Sequence, residues 1–189
     1  MKKNYTLWIV LGIVAVILLW FIGSYNGLVS KRTAVDSAWA DVQAQYQRRI
    51  DLIPNLVATV KGYATHEDEL LTKLTALRSQ WQTASASGDT TGAIAAAQGA
   101  DSALSRLLVV VESYPDLKAN QNFLALQDEL AGTENRVAVS RTRFNEAVQT
   151  YNTAIQTFPR NILAGLFGFQ PKTFFQAQAG AENAPTVTF

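Results

Sequence analysis

This 189-residue sequence contains no cysteine and only one histidine. Without cysteine, the chain forms neither disulfide bonds nor thiolate metal sites, and it has no thiol nucleophile. A single imidazole excludes the zinc sites that are built from several histidines. The net charge is also close to zero, since 16 basic side chains are offset by 15 acidic ones. No overall positive field therefore attracts nucleic acid, and we expect no nucleic-acid partner.

Catalytic motifs are also missing. The sequence contains no G-x-S-x-G, P-loop or G-x-G-x-x-G pattern. His66-Glu67 resembles the start of the zinc motif H-E-x-x-H, but Leu70 occupies the position of the second imidazole. Acidic residues such as Glu67 and Asp68 are expected at a helix start, where they complement the helix dipole. We expect no catalytic residue, cofactor or metal; the enzyme alternative is limited to His66 acting with Glu67, or to a polar pocket around Arg49.

The sequence does contain one long apolar run. Tyr5–Ile22 reads YTLWIVLGIVAVILLWFI, with no charged residue and no proline. At about 1.5 Å per helical residue this run spans about 27 Å, close to the ~30 Å hydrocarbon core of a bilayer. A cleaved signal sequence is the alternative, but the run exceeds a typical signal core and the following GSYNG lacks a small-residue cleavage site. We predict a cytoplasmic N-terminus and transmembrane anchor over residues 1–23, in contact with the lipid bilayer through residues 5–22.

Aromatic residues and charges near the ends of the run indicate its placement. Four aromatic residues are predicted to lie at the two membrane interfaces: Tyr5, Trp8, Trp20 and Tyr25. Two lysines and the N-terminal amine precede the run, whereas Lys31 and Arg32 follow it. This small excess favours a cytoplasmic N-terminus under the positive-inside rule, with the rest of the chain on the periplasmic or extracytoplasmic side.

After the run, apolar residues repeat at alternating spacings of four and three, which is typical of helices in bundles and coiled coils. The first repeat predicts a helix from Ser24 to Ala64. Pro54 is predicted to kink this helix rather than break it, because the repeat keeps its phase across the proline. The pattern Thr65–Asp68 predicts a capped start for a second helix. A third helix is predicted to end before Tyr114.

A fourth, long helix is predicted from Leu117 to Phe158, where Pro159 ends it. We therefore predict an all-α fold, in which the N-terminal transmembrane helix is followed over residues 24–175 by an elongated antiparallel helical bundle of two long and two short helices. The short helices are about half as long as the long ones, so they cover only the membrane-distal half. The membrane-proximal halves of the long helices are predicted to pair with each other.

Three charged residues interrupt the apolar repeats, namely Arg49, Glu134 and Arg141. Arg49 and Glu134 lie at similar distances, about 36–37 Å, from the membrane-side ends of their helices, so we predict that they pair across the bundle. Arg141 is predicted at a level near Asp41. We interpret these residues as a buried polar seam whose ion pairs fix the helix register. The alternative is a functional polar pocket.

The segment after the fourth helix, Phe158–Phe175, is rich in phenylalanine and leucine. We hypothesise that it rests on the membrane surface; the alternative is that it fills the base of the bundle. Its membrane-interface candidates are Leu163, Leu166, Phe167 and Phe169. Residues 176–189 have the composition of a flexible tail. The final PTVTF is either inert or adds a strand to a partner's sheet.

These blocks together resemble the LemA family. The resemblance rests on YNGLVSKRTAVDSAWADVQAQYQRRIDLIPNLVATVKGYATHE after the anchor, then on ESYPDLKANQNFLALQDEL, TENRVAVSRTRFNEAVQTYN and FPRNILAGLFGFQPKTFF. It covers most of residues 25–175. The resemblance implies a bacterial cell-envelope protein, held in the inner (cytoplasmic) membrane by a signal anchor and folded as an antiparallel bundle, with no established enzymatic activity or cofactor. It also implies association with other proteins, among which a membrane protease is one candidate.

The features together predict a non-enzymatic, single-pass membrane scaffold or adaptor that presents its helical bundle to partner proteins. The partners' identity is not encoded in any residue pattern. The alternative is a self-assembling homo-oligomer that shapes membranes or serves the response to envelope stress.

Overall fold

The structure is a computed structural model that describes residues 5–64 and 66–175. Its helices are α1 (Tyr5–Ile50), α2 (Ile53–Lys61), α3 (Asp68–Ser87), α4 (Thr90–Val111), α5 (Pro115–Lys118), α6 (Gln121–Gln156) and α7 (Arg160–Leu166). The described residues contain no strand, so the predicted all-α class is confirmed. Two long helices, α1 and α6, and two shorter ones, α3 and α4, match the prediction. The tail at 176–189 and the capping residue Thr65 lie outside the described residues.

Helix α1 includes the apolar run and continues to Ile50 without a break. Near the predicted kink at Pro54 the helix is interrupted over only two residues, Asp51 and Leu52, before α2 begins at Ile53. Pro54 lies in the first turn of α2, where its missing N–H costs nothing. The buried face nevertheless keeps its phase, since Ile50 and Ile53 are both buried on either side of the interruption and Leu56 follows them.

Helices α3 and α4 form a tight antiparallel hairpin. Only two residues connect them, Gly88 with φ 74°, a left-handed conformation that favours glycine, and Asp89. The Asp89 side chain accepts a hydrogen bond from the Gly92 amide at 2.9 Å and so caps the start of α4. A Cβ added at Gly99 would lie 2.6 Å from a methyl of Leu77, so the absence of a side chain there permits close packing of α3 on α4.

The chain divides into two compact units. Unit 1 contains the N-terminal part of α1, up to Trp39, and residues 143–174. Unit 2 contains residues 40–142, and Phe175 joins it. The short helices α3 and α4 therefore belong to unit 2, whereas unit 1 is built from parts of the two long helices together with α7. The predicted boundary between an anchor at 1–23 and a bundle at 24–175 stays a prediction.

Two helical stretches in the described residues are long and apolar enough to cross a membrane, Leu7–Lys61 and Thr90–Val111. They differ in burial. The apolar window of the first is 6% buried, whereas half of the second is buried. Helix α4 is therefore a core helix of unit 2, and the N-terminal part of α1 is the candidate membrane-spanning segment.

Candidate functional site

In unit 1, α1 and the C-terminal part of α6 pack side by side. The rings of Trp39 and Phe144 have centroids 5.3 Å apart. Two turns further along α6, Tyr151 is buried, and burial raises the pKa of its phenol while the charge of Arg32 lowers it and that of Asp36 raises it. Later residues of α6 thus lie beside earlier residues of α1, so the two helices run antiparallel in this unit.

Helix α7 then packs beside the end of the apolar run. The Phe167 ring lies 5.7 Å from that of Phe21 and 4.9 Å from that of Tyr25, measured between centroids. Phe169 also reaches Tyr25, at 6.0 Å. Because Phe21 belongs to the predicted span and Tyr25 follows it, α7 lies at the level where the span ends.

Solvent exposure varies along the segment Phe158–Phe175. Leu163 is 4% exposed and Phe169 is 9% exposed, so both side chains are packed inside unit 1. Their place at the membrane interface stays a prediction. Four other apolar residues remain exposed and define the α7 surface: Phe158, Ile162, Leu166 and Phe167. The segment therefore combines the two alternatives, with one face filling the unit and the other open.

The four aromatic residues assigned to the membrane interfaces are placed differently from one another. Trp8 is 74% exposed, and Tyr5 and Trp20 are also exposed. Tyr25 is only 37% exposed, because its ring is packed against Phe167 and Phe169. Tyr25 therefore joins the end of the span to the segment that follows α7.

Two side chains of α6 hold the chain that follows α7. The Tyr151 hydroxyl donates a hydrogen bond to the carbonyl of Gln170 at 3.0 Å. Asn152 makes two bonds to the backbone of Lys172, since its amide nitrogen donates to the carbonyl and its oxygen accepts from the N–H, each at 2.8 Å. Lys172 also pairs with Asp36 of α1 at 3.3 Å. We call Asn152 and its two bonds the Asn152 clamp.

Unit 2 contains a cluster of buried charge. The Arg49 side chain is 8% exposed, and its guanidinium lies 3.1 Å from a carboxylate oxygen of Asp101 and in ion-pair contact with Glu134. Arg141 donates a hydrogen bond to the other oxygen of Asp101. The Tyr46 hydroxyl donates to that same oxygen at 2.8 Å. One carboxylate thus receives two guanidinium groups and a phenol.

The predicted seam residues are placed as follows in this cluster. Glu134 contacts Arg49, but its side chain is 51% exposed and so lies at the edge of the cluster. Arg141 pairs with Asp101 of α4, a partner that was not predicted. Since Arg49 keeps Asp101 when Glu134 is removed, the loss of Glu134 alone leaves no buried charge without a partner.

Asp101 is the central residue that the sequence prediction missed. It lies on α4 four residues after Ala97 and three before Leu104, both buried. Positions at those spacings share one helix face, so a carboxylate falls on the alanine-rich core side of α4. From this spacing in the sequence, the buried position of Asp101 could have been predicted.

Burial governs the titration of this cluster. It raises the pKa of the Asp101 carboxyl to about 7, against the attraction of Arg49, and the charge of Glu134 raises it further. Burial also lowers the pKa of Arg141 to about 10. The Arg141 guanidinium lies over the rings of Tyr46 and Phe175, at 5.2 and 4.7 Å from their centroids. The cluster therefore extends to the last described residue of the chain.

His66 lies apart from the cluster. It is exposed and lines a cavity of about 180 Å³ with Glu67, Glu69, Lys73 and Arg106, among others. No group of three or more histidine, cysteine or acidic residues suited to a metal occurs among the residues that the structure describes.

A family model described as the LemA family matches residues 38–189. The chain is 28% identical to magnetosome protein MamQ 2 of Paramagnetospirillum magneticum, over 87% of this chain and 68% of the relative. Magnetosome protein MamQ of Magnetospirillum gryphiswaldense is 27% identical, over 87% of this chain and 68% of the relative. Protein LemA of Metamycoplasma hominis is 27% identical, over 83% of this chain and 71% of its own length.

Proposed function

Since this chain belongs to the LemA family, we propose that it acts as a single-pass membrane scaffold or adaptor without enzymatic activity. Its N-terminal helix is held in the bilayer, and its helical bundle is presented to partner proteins. The names of the relatives denote a family and a magnetosome protein, and neither states a reaction.

The observation that carries this proposal is the exposed apolar surface at the start of α1. Trp8 is 74% exposed and Leu19 is 70% exposed, with exposed apolar residues along the whole run between them. A continuous apolar surface of this extent is unstable in water and is covered by lipid or protein. Its length matches the ~30 Å hydrocarbon core, and α1 continues directly from it into the bundle.

The proposed topology places the N-terminus in the cytoplasm and the bundle outside. Because the chain has no cysteine, single cysteines report accessibility without background. We expect a Ser87→Cys variant to react with a membrane-impermeant maleimide added to intact cells, and an Asn4→Cys variant to react only after the cells are opened. Ser87 is an exposed residue at the end of α3, so burial does not block the reaction. Labelling of the two variants in the reverse pattern would overturn the orientation.

The α7 surface is proposed to contact the bilayer. Leu166 is 71% exposed and lies one residue before Phe167, which packs at the end of the span. A Leu166→Cys variant carrying an environment-sensitive dye is expected to be quenched by brominated lipid in nanodiscs. A Val139→Cys variant, with its dye on an exposed part of α6 in unit 2, serves as the matched control and is expected to stay unquenched. Equal quenching of both dyes, or of neither, would contradict the proposal.

A self-assembling, membrane-shaping oligomer is the second candidate. The observation that favours it is the same α7 surface, because exposed side chains such as Phe158 and Ile162 are covered equally well by another copy of the chain. Light scattering after size exclusion of the full chain in detergent separates the two candidates. A monomer supports the adaptor, and a large defined assembly supports the oligomer.

A further inference from the structure

A basic groove lies in unit 1 beside the end of the apolar run. Its volume is about 420 Å³, within the range of small-ligand sites. Lys31 of α1 and Arg160 at the start of α7 supply its charges. The rest of the lining comes from the C-terminal part of α6: Gln149, Thr150, Thr153, Ala154 and Thr157.

The groove is suited to an anion. Its described lining contains no acidic residue, and neither Lys31 nor Arg160 forms an ion pair with any residue of the described ranges. Hydroxyl and amide groups of the lining can donate further hydrogen bonds. The Thr157 hydroxyl already donates to the Thr153 carbonyl at 2.7 Å, which leaves its oxygen as an acceptor for a protonated or hydroxylated group. Two cations and several neutral donors are the groups that bind a phosphodiester.

The position of the groove along α1 suggests where the anion comes from. Lys31 follows Ile22, the last residue of the apolar run, by nine residues, which is about 14 Å along a helix. The polar headgroup region adds about 5–8 Å to each side of the hydrocarbon core, and the lysine side chain, which leans toward the N-terminus of its helix, brings the charge back toward that region. Arg160 is the first residue of α7, and Phe167, the residue that follows this short helix, packs on Tyr25 and Phe21. Both cations are thus at headgroup depth if the apolar run spans the bilayer.

From this geometry we propose that the groove between Lys31 and Arg160 binds the phosphate of an anionic phospholipid of the bilayer that holds the chain. The inference rests on the proposed membrane anchorage. The α7 surface and the groove then act together, since exposed apolar side chains contact acyl chains while the two cations hold the headgroup.

Lipid selectivity tests this site. The full chain is purified in mixed micelles of phosphatidylglycerol and phosphatidylcholine, and the bound lipids are quantified by mass spectrometry. We expect phosphatidylglycerol to be enriched on the unaltered chain. Lys31→Gln and Arg160→Gln are each expected to lower the enrichment about tenfold, because each removes a charge-assisted hydrogen bond to the bound phosphate.

Arg32→Gln is the matched control. Arg32 adjoins Lys31 and carries the same charge at the same depth, but it does not line the groove. Its replacement is expected to leave the enrichment unchanged. If Arg32→Gln lowers enrichment as much as Lys31→Gln, the effect comes from diffuse surface charge and the site is wrong.

Inorganic phosphate distinguishes the two sources of the anion. We expect millimolar phosphate to leave the bound phosphatidylglycerol in place, because the lipid is held by its acyl chains as well. Displacement by phosphate would assign the groove to a soluble anion and overturn the lipid proposal. Membrane fractionation separates this inference from the proposed function. An unaltered chain that stays in the membrane without phosphatidylglycerol enrichment refutes only the groove, whereas an unaltered chain that is not held in the membrane refutes the anchorage on which the groove rests.

Discussion

The two units of this protein stabilise their helices by different chemistry. Unit 1 relies on ring contacts such as Trp39–Phe144 and on neutral hydrogen bonds to backbone, as in the Asn152 clamp. Unit 2 places ionised groups inside, with Asp101 between Arg49 and Arg141. Neutral bonds keep their strength across the physiological pH range, whereas a buried carboxylate is sensitive to its own titration.

The difference also concerns what each unit exposes. Unit 1 leaves apolar side chains such as Leu166 at the surface near the span, whereas unit 2 buries charge. The proposed lipid contact of unit 1 agrees with this difference, because exposed apolar residues suit a lipid surface and neutral internal bonds carry no charge near hydrocarbon. For the ion-pair cluster of unit 2, we expect a role in fixing helix register more than in adding stability.

The largest effect is expected from replacing Asp101 with leucine. Asp101→Leu removes the shared acceptor of two guanidinium groups and of the Tyr46 hydroxyl, which leaves buried donors unpaired. We expect the free energy of unfolding to fall by about 3–5 kcal/mol, measured by urea unfolding of the full chain in detergent at pH 8. Asp128→Leu, at an exposed aspartate of α6, is the control and is expected to change the free energy by about 0.5 kcal/mol or less. A loss below about 1 kcal/mol for Asp101→Leu would show that the cluster does not hold unit 2 together.

A smaller effect is expected from pH. The folded-state pKa of Asp101, about 7, exceeds its ordinary value of 3.8, so the folded chain binds the proton more tightly than the unfolded chain. Stability from this group is therefore present below about pH 4 and is lost as pH rises toward 7. Between pH 5 and pH 8 we expect the unaltered chain to lose on the order of 2 kcal/mol that an Asp101→Asn variant does not lose.

The comparison with Asp101→Asn isolates this one group, because all other titrations are common to both proteins. The variant keeps a polar side chain of similar shape, so it tests charge rather than packing. If the unaltered chain instead gains stability relative to the variant as pH rises, the attraction of Arg49 and Arg141 outweighs desolvation, and the cause assigned to the shift is wrong.

The sequence predicted the helices better than the contacts. Hydrophobic period locates a helix and its buried face from local residues alone, and the two long and two shorter helices followed from it. The exact place of the interruption near Pro54 could not be predicted, because the buried face keeps its phase whether the helix bends or restarts, and only backbone hydrogen bonds locate the break.

The charge cluster shows the same limit. Equal distances along two helices suggested a partner for Arg49 on α6, but distances along two helices say nothing about a charge that a third helix contributes. Asp101 comes from α4 and takes the central place, which leaves Glu134 at the exposed edge. The segment after α7 was ambiguous for a related reason, since composition gives its apolar content but not which residues, such as Leu163, face inward.

The smallest effect is expected in unit 1, from Asn152→Ala. This change removes both bonds to Lys172 but leaves the Tyr151–Gln170 bond in place. We expect a global loss of about 1–2 kcal/mol and faster tryptic cleavage after Lys172, because the released chain fits a protease more readily. Cleavage after Lys118, in unit 2, is the internal control and is expected to keep its rate. Because no ionisable group takes part in the clamp, the loss is expected to be equal at pH 5 and pH 8. A loss that varied with pH as the Asp101 effect does would show that the two units do not differ in the way their interiors indicate.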